Sequence, residues 1–551
     1  MVSRDILSMT MDLAKKSFLI VEDYNDMRSI IKHMLTSYGV TDIDMVANGE
    51  QAMNKIAQRH YDVILCDYNL GDGKDGQQVF EETKHKKILP YSTVFIMITA
   101  ENTMKMVMGV IEYYPDDYIS KPINKDTLKK RIEKLILRKQ NLKEVTQLIE
   151  KEQYSTAIDV CEAHVADKPR NATEFIKLKA ELYIRLGRYE EAEQIYKSTL
   201  EDREVPWAQF GLGKICFLKG EFQQACDQFE RLHVTTPNHM ESYDWLAKSR
   251  INLGELDKAK QTLSEAVSLS PKVTSRQAFL GDVALECEDY KSAERAFRSA
   301  TAAGSRSIFN TPANYTKLAN ATSHTRSPKD VLTVLNKINK DFPHDKNARI
   351  QAEITKSLLL KDSLPQIAKA SIVAAKKLYE KQADNLDAEI LLEMSKALFT
   401  HNDDELGEEL LNKVVMNYSD NVEKLENIKS WMISSGREEQ AKNIINGAKK
   451  KVVKLNNKAK DLANKGDLEG ANKLLEDALR RSPDNLTINL NCIRVMLTLA
   501  NNEGITDNSA HKLMTLFDKV RDKDPGHNDL PELMERYQSL LVKKVDRKDC
   551  A

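Results

Sequence analysis

VILCDYNLGDGKDG, residues 63–76, admits three readings. Gly71, Gly73 and Gly76 spell G-x-G-x-x-G, the pattern of a dinucleotide-binding turn. Asp67, Asn69 and Asp72 look like the start of a calcium loop. Asp67 alone, at the end of the apolar run Val63-Ile64-Leu65-Cys66, stands where a nucleophile could stand. What surrounds the stretch decides among them.

Similar apolar runs recur on both sides. Residues 18–21 (FLIV) and 94–98 (VFIMI) are entirely apolar, 43–47 (IDMVA) is mixed and 118–120 (YIS) is short. Between them, Met27, Ile30, Ile31, Met34 and Leu35, then Ala52, Met53 and Ile56, fall at helical spacing. Strands alternating with helices build a parallel sheet covered on both faces. The fully apolar strands belong at its centre and the mixed second strand at an edge. Five such units in about 125 residues predict a flavodoxin-like, doubly wound α/β domain.

In that fold ligands bind outside the carboxyl ends of the strands. Strand one ends in Glu22-Asp23, strand three in Asp67 and strand four in Thr99-Ala100, and strand five is followed by Lys121-Pro122. Three carboxylates, a hydroxyl and an ammonium therefore converge. Carboxylates so placed repel one another unless a cation joins them. Hard oxygen ligands suit Mg²⁺. A metal-bound carboxylate flanked by Lys and Thr can accept a phosphoryl group.

This set resembles the receiver domain of bacterial response regulators, over residues 17–138. The resemblance implies that Asp67 is the phosphoacceptor. It implies that Glu22, Asp23, Asp67 and the Asn69 main-chain carbonyl hold Mg²⁺. Lys121 would contact the phosphoryl group, with a cis bond to Pro122. Thr99 would be the switch hydroxyl and Tyr118 the switch aromatic. Asn69 and Glu101, two residues past the Asp and the Thr, would shape the access of hydrolytic water, and both are polar as in fast-turnover chemotaxis regulators. The dinucleotide pattern belongs after the first strand, with an acid about 20 residues on; here it follows the third, and that stretch is the apolar VFIMIT. A calcium loop counted from Asp67 needs Gly at its sixth position and Glu at its twelfth, where Asp72 and Gln78 stand. One departure from the receiver pattern remains. Receivers place a Pro shortly after the Asp and a Gly eight residues on; this chain lacks that Pro, and Gly76 lies nine on.

The fifth helix of the domain should start near Asn124. Leu128, Ile132, Leu135, Ile136, Leu142, Val145, Leu148 and Ile149 then follow without Gly or Pro until Pro169. The spacing predicts either a continuous lever into the next domain or two helices joined by a tight polar turn near residues 139–141. Beyond it, Tyr154-Ser-Thr-Ala157, Tyr189-Glu-Glu-Ala192, Phe222-Gln-Gln-Ala225, Leu256-Asp-Lys-Ala259 and Tyr290-Lys-Ser-Ala293 align, their Ala positions stepping by 35, 33, 34 and 34. Gly187, Gly220 and Gly254 stand two residues before the leading Tyr, Phe or Leu; Ala180, Gly213, Ala247 and Gly281 lie twelve before the last four Ala. Small residues let the helices of a hairpin approach, Gly allows the turn and Pro ends the second helix. The period and the residues resemble tetratricopeptide repeats.

The expected order is an N-terminal extension (1–16), the receiver (17–138), a repeat array (139–304), a divergent repeat-like helical region (305–450), one further repeat (451–485) and a helical cap and tail (486–551). The loops AGSRSIFNTPAN and ATSHTRSP interrupt the array. Such arrays form an all-α solenoid whose groove binds peptides or helices.

Across 551 residues, Lys plus Arg total 82 and Asp plus Glu 83, a net charge of -1 that gives no global pull toward nucleic acid or anionic lipid. The seven Cys form no C-x-x-C pair, which excludes ribbon-type zinc sites and dithiol redox motifs and fits a reducing cytosol. No apolar run reaches the roughly 20 residues of a membrane span. His164, His233, His239 and His324 form no metal-binding spacing, and no phosphate-binding loop or nucleophile elbow occurs. The expected protein is a cytoplasmic response regulator with no catalysis beyond phosphotransfer to, and dephosphorylation of, its own Asp67. Its partners would be a sensor histidine kinase or phosphotransfer protein, a protein or peptide ligand of the groove, and a second copy through the receiver, with no membrane partner. Nucleic-acid binding through the divergent C-terminal helices, which carry the basic run GAKKKVVKLNNKAK, is the alternative.

Overall fold

A computed structural model of the 551-residue chain describes residues 12–100, 115–167, 172–303, 306–381 and 386–549. Glu101 and Pro169 lie outside the described residues, as do residues 1–11 of the N-terminal extension and residues 101–114 after β4.

The first domain is built from β1 (Ser17–Val21), α1 (Asn25–Ser37), β2 (Asp42–Val46), α2 (Gly49–Gln58), β3 (Val63–Asp67), α3 (Gly76–His85), β4 (Val94–Thr99) and β5 (Asp117–Ser120). The sheet order is β2-β1-β3-β4-β5, and every pairing is parallel. This is the expected doubly wound arrangement. β3 and β4 are buried throughout, whereas edge strand β2 buries only Val46, as its mixed sequence predicts. Side chains alternate across the sheet. Phe18, Ile20, Val63, Leu65, Val94 and Ile96 pack on α1 and the helix Lys125–Asn141. Leu19, Val21, Ile64, Cys66, Phe95 and Met97 pack on α2 and α3.

Helix Lys125–Asn141 is followed by helix Lys143–Glu150, with Leu142 the single joint. Leu142 sits at φ -92° and ψ 0°, close enough to helical that its N–H still bonds Arg138 and its carbonyl accepts from Thr146. The helix thus runs past the expected boundary at residue 138, and the turn expected at residues 139–141 shrinks to one half-buried leucine.

Helices of 13 and 14 residues then alternate: Thr173–Arg185 and Tyr189–Asp202, Pro206–Leu218 and Phe222–Thr235, Met240–Asn252 and Leu256–Leu269, Thr274–Glu286 and Tyr290–Ala303. A Cβ at Gly213 would lie 2.5 Å from the Phe229 ring, and one at Gly281 would lie 2.7 Å from Phe297, so at these two crossings only glycine fits. Gly187, Gly220 and Gly254 turn the hairpins at φ +75° to +78°. At three turns without glycine, Glu152, Glu288 and Asn402 take the same left-handed conformation two residues before the following helix.

The described residues fall into two compact units. One holds those up to Ala180, Glu193–Phe217 and Glu221–Asn314; the other holds Glu181–Ala192, Leu218–Gly220 and the residues from Tyr315 on. In the second unit, Ile354, Met394, Leu398, Leu410, Val414, Ile428, Met432 and Ala441 share one apolar core. Asn417 and Asp484 exchange two hydrogen bonds, of 2.8 and 3.0 Å, and Asn485 donates to Ser419, fastening residues 417–419 to the stretch before helix Leu486–Glu503. Helix Glu438–Asn464 is 27 residues long and passes straight through the expected boundary at 450/451. Its first half packs on helices Asp404–Asn417 and Val422–Ser434, its second on Leu468–Arg481 and Leu486–Glu503. No helix among the described residues is long and apolar enough to cross a membrane.

Candidate functional site

Parallel strands all end on one edge of the sheet, and that edge collects the chemistry. β1 delivers Glu22 and Asp23, the last residue of β3 is Asp67, the last of β4 is Thr99, and Lys121 follows β5. Glu22, Asp67 and Thr99 are buried. The Lys121 ammonium bridges two carboxylates, 2.7 Å from Asp67 Oδ2 and 2.9 Å from Glu22 Oε2. The Lys121–Pro122 bond is cis, and the Lys121 N–H donates to the Thr99 carbonyl at 2.7 Å, which ties the ends of β4 and β5 together. Burial pushes the Glu22 carboxyl up, and the negative charge of Asp67 adds to this against the pull of Lys121. Burial pulls the Lys121 ammonium down, but its hydrogen bonds to Asp67 and Glu22 prevail and hold it above the ordinary lysine value.

One oxygen from each of Glu22, Asp23 and Asp67 can be chosen so that all lie within 4.8 Å of one another. Three hard oxygen donors so grouped fit a divalent cation such as Mg²⁺. Arg28, in the first turn of α1, donates to the main-chain carbonyls of both Glu22 and Asp23 and so fixes the two acids. Arg28 carries no signal in the sequence beyond being a cation five and six residues after the pair.

Tyr118, on β5, is half-buried against the core on the α3 side, and Arg131 donates to its carbonyl at 2.8 Å. Asn69 is exposed in the loop after β3, its side chain accepting from the Gly71 N–H at 3.3 Å. That loop shows how nine residues replace eight. Gly71 and Gly73 adopt φ +67° and +123°, where side chains are rarely accommodated. Gly76 then returns to the strand end. Its N–H donates to the Tyr68 carbonyl at 2.9 Å, and a Cβ on it would lie 2.0 Å from the Asp67 carbonyl oxygen. Asp75 caps α3 and Gln78 completes the capping box, which gives Gln78 a structural role at the place where a calcium loop needs Glu. The structure thus brings Glu22, Asp23, Asp67 and Lys121 together, with Thr99 at the adjoining strand end and Asn69 in the loop that leads away.

Residues 18–133 match the response regulator receiver domain family, and residues 177–238 and 241–273 match tetratricopeptide repeat families. The chain is 28% identical over 120 residues to the chemotaxis protein CheY of Pseudomonas aeruginosa, covering 22% of this chain and 95% of that protein. It is likewise 28% identical over 120 residues to CheY-3 of Vibrio cholerae, of which it covers 91%. Among solved structures, a two-component response regulator from Clostridium difficile is 26% identical, with TM-score 0.21, over 22% of this chain and 98% of that one. The N-terminal part of the chain is therefore the receiver domain of a two-component response regulator, and tetratricopeptide repeats follow it.

Proposed function

We propose that this response regulator takes a phosphoryl group on Asp67 from a histidine kinase or phosphotransfer protein, and that its output is the binding of another protein by its repeats. A carboxylate oxygen of Asp67 bonds to phosphorus as the phosphorus–nitrogen bond of the donor breaks, and the imidazole keeps the electron pair. Lys121 moves from a carboxylate oxygen to an oxygen of the incoming group. Mg²⁺, held by Glu22, Asp23, Asp67 and the Asn69 carbonyl, would supply further neutralisation of phosphoryl charge. Thr99 and Tyr118 then report the phosphoryl group to the rest of the chain as switch residues.

The observation that carries this reading is the Lys121 ammonium, bonded to Asp67 and Glu22 at a strand edge that also holds Asp23. The test is labelling with acetyl phosphate. The wild-type chain should take up acid-labile label in Mg²⁺ and not in EDTA, and Asp67→Asn should take none. Label on Asp67→Asn at the wild-type level refutes the assignment.

A second reading rests on one feature. Lys449, Lys450, Lys451, Lys454, Lys458 and Lys460, on helix Glu438–Asn464, form no ion pair with any described residue. Such a face could hold phosphates of a nucleic acid. Retention on nucleic acid that falls steeply with salt supports this reading, and no retention at low salt removes it.

A further inference from the structure

The loop after β3 is held from two sides. On one side lies the carboxylate cluster, with the Gly71 Cβ position 3.1 Å from Asp23 Oδ2. On the other lie residues of the repeat region, in the same compact unit. The Lys272 ammonium, just after helix Leu256–Leu269, sits 5.1 Å from the centre of the Tyr68 ring, and Tyr68 directly follows Asp67. Tyr68 is buried, so the cation rests on a fixed ring. The Arg306 guanidinium pairs with Glu50 at 3.3 Å, and a Cβ on Gly73 would lie 2.7 Å from it. The same Glu50 oxygen accepts the Lys74 N–H at 3.2 Å. Arg306, Glu50 and Lys74 thus form a chain across the far half of the loop.

Two neighbouring contacts fix where this clamp sits. The Ser307 hydroxyl donates to Glu81 Oε2 at 2.7 Å, with both side chains buried, and the Phe309 ring meets the His85 ring edge-on at 5.5 Å. A buried hydroxyl–carboxylate bond holds its position far better than an exposed ion pair. Ser307 and Phe309 therefore seat their segment on α3, and Arg306 reaches from that seat to the loop, while Lys272 reaches it separately from the turn after helix Leu256–Leu269.

We propose that Arg306 and Lys272 of the repeat region are positioning residues for phosphoryl transfer to Asp67: they hold the acceptor loop in the geometry in which it reacts. This inference rests on the reading of Asp67 as the acceptor. No member of the clamp touches the reacting atoms. The clamp acts through Tyr68, whose N–H bonds the Ile98 carbonyl at 2.7 Å, and through the glycine turn that carries Asn69. A loop with two left-handed glycines has many competing conformations, and external contacts select among them.

The test uses the full chain, with acetyl phosphate as donor and Mg²⁺ in excess. Rates of label uptake are measured against donor concentration for the wild type, Arg306→Ala, Arg306→Lys, Lys272→Ala, Glu50→Ala and the double variant Arg306→Ala/Glu50→Ala. Arg306→Ala should slow uptake at saturating donor by about tenfold, the scale of a modest misplacement of a reacting group. The half-saturating donor concentration should barely move. Arg306→Lys should recover most of the rate, and the double variant should be no slower than the slower single one, because the two residues act as one chain. Circular dichroism of Arg306→Lys and Arg306→Ala identifies a folding defect. Rates of Arg306→Ala and Lys272→Ala that equal or exceed the wild type overturn the inference while leaving Asp67 as the acceptor. A wild-type chain that takes no label overturns both.

Discussion

Gly76→Ala tests how the acceptor loop closes. The added methyl would lie 2.0 Å from the Asp67 carbonyl oxygen, 2.9 Å from its carbonyl carbon and 3.1 Å from Cys66 Sγ. Carbon and oxygen atoms approach to about 3.3 Å at closest, so more than ~1 Å of movement is required. β3 cannot supply it. It is paired on one side with β1, Val21 opposite Cys66, and on the other with β4, Asp67 opposite Ile98. The N-terminus of α3 must move instead, against the Gly76–Tyr68 hydrogen bond and the Asp75 cap. Overpacking against main chain belongs at the upper end of its usual cost, about 3 kcal/mol. Better helix propensity returns less than ~1 kcal/mol at this terminal position. The net cost is about 2 kcal/mol, localised at the start of α3. Hydrogen exchange resolves a local loss of this kind in a chain of several folding units. Amides of α3 should exchange about 30-fold faster, and phosphoryl uptake should slow by about tenfold or more. An alanine variant with wild-type protection of α3 and wild-type uptake would refute this account of the nine-residue closure.

Other perturbations read other parts of the structure. Gly213→Ala drives a methyl to 2.5 Å from the Phe229 ring and should cost about 1–3 kcal/mol in urea unfolding; Gly220→Ala, at φ +78° with open space around it, should cost about 1–2 kcal/mol, from backbone strain alone. Adding Phe229→Leu should rescue the first and not the second. His233 is held down to about 4, first by burial and then by the charges of His239 and Arg250. Its unfolded value is about 6.5, so its neutral form supports folding above that pH, and this stability is lost as pH falls from 6.5 toward 4. Because the ring is only half-buried, the loss should be about 1–2 kcal/mol. His233→Gln keeps a partner for Ser242 without titrating, so its urea midpoint should fall less than the wild type's between pH 7 and pH 4.5; parallel falls would remove His233 as the cause. Three glycines inserted after Asn141 should leave phosphoryl uptake unchanged if the clamp holds the loop. A tenfold loss would show that the helix through Leu142 sets the acceptor geometry instead.

The sheet and the strand-end cluster were legible because they obey local rules. Apolar runs mark the central strands, and parallel topology puts their ends on one edge, so Glu22, Asp67, Thr99 and Lys121 could be placed without contacts. Hairpin turns were legible where Gly187, Gly220 and Gly254 mark them, but Glu152, Glu288 and Asn402 take the same conformation with no local signal. The single-residue joint at Leu142 was hidden because its dihedrals stay near helical and its neighbours keep their hydrogen bonds. The clamp was the least legible part. Lys272 and Arg306 are ordinary surface cations by pattern, and what distinguishes them is proximity to residues more than 200 positions earlier in the chain. By sequence, residues 306–309 read only as part of an interruption of the repeats, although Ser307 and Phe309 pack on α3.

The unbroken helix Glu438–Asn464 makes two successive hairpins share one axle. Ordinary repeats meet at loops, and a loop absorbs an added or lost residue by changing its path. An axle cannot do so. Each residue inserted near Lys451 rotates everything beyond it by about 100° and advances it by about 1.5 Å. The buried Ala459 would rotate out of its place, while the Ala441 half stayed where it is. Length variation among natural versions of this segment should therefore come in whole turns, three or four residues at a time. Neither hairpin can be exchanged as a cassette without re-phasing the other.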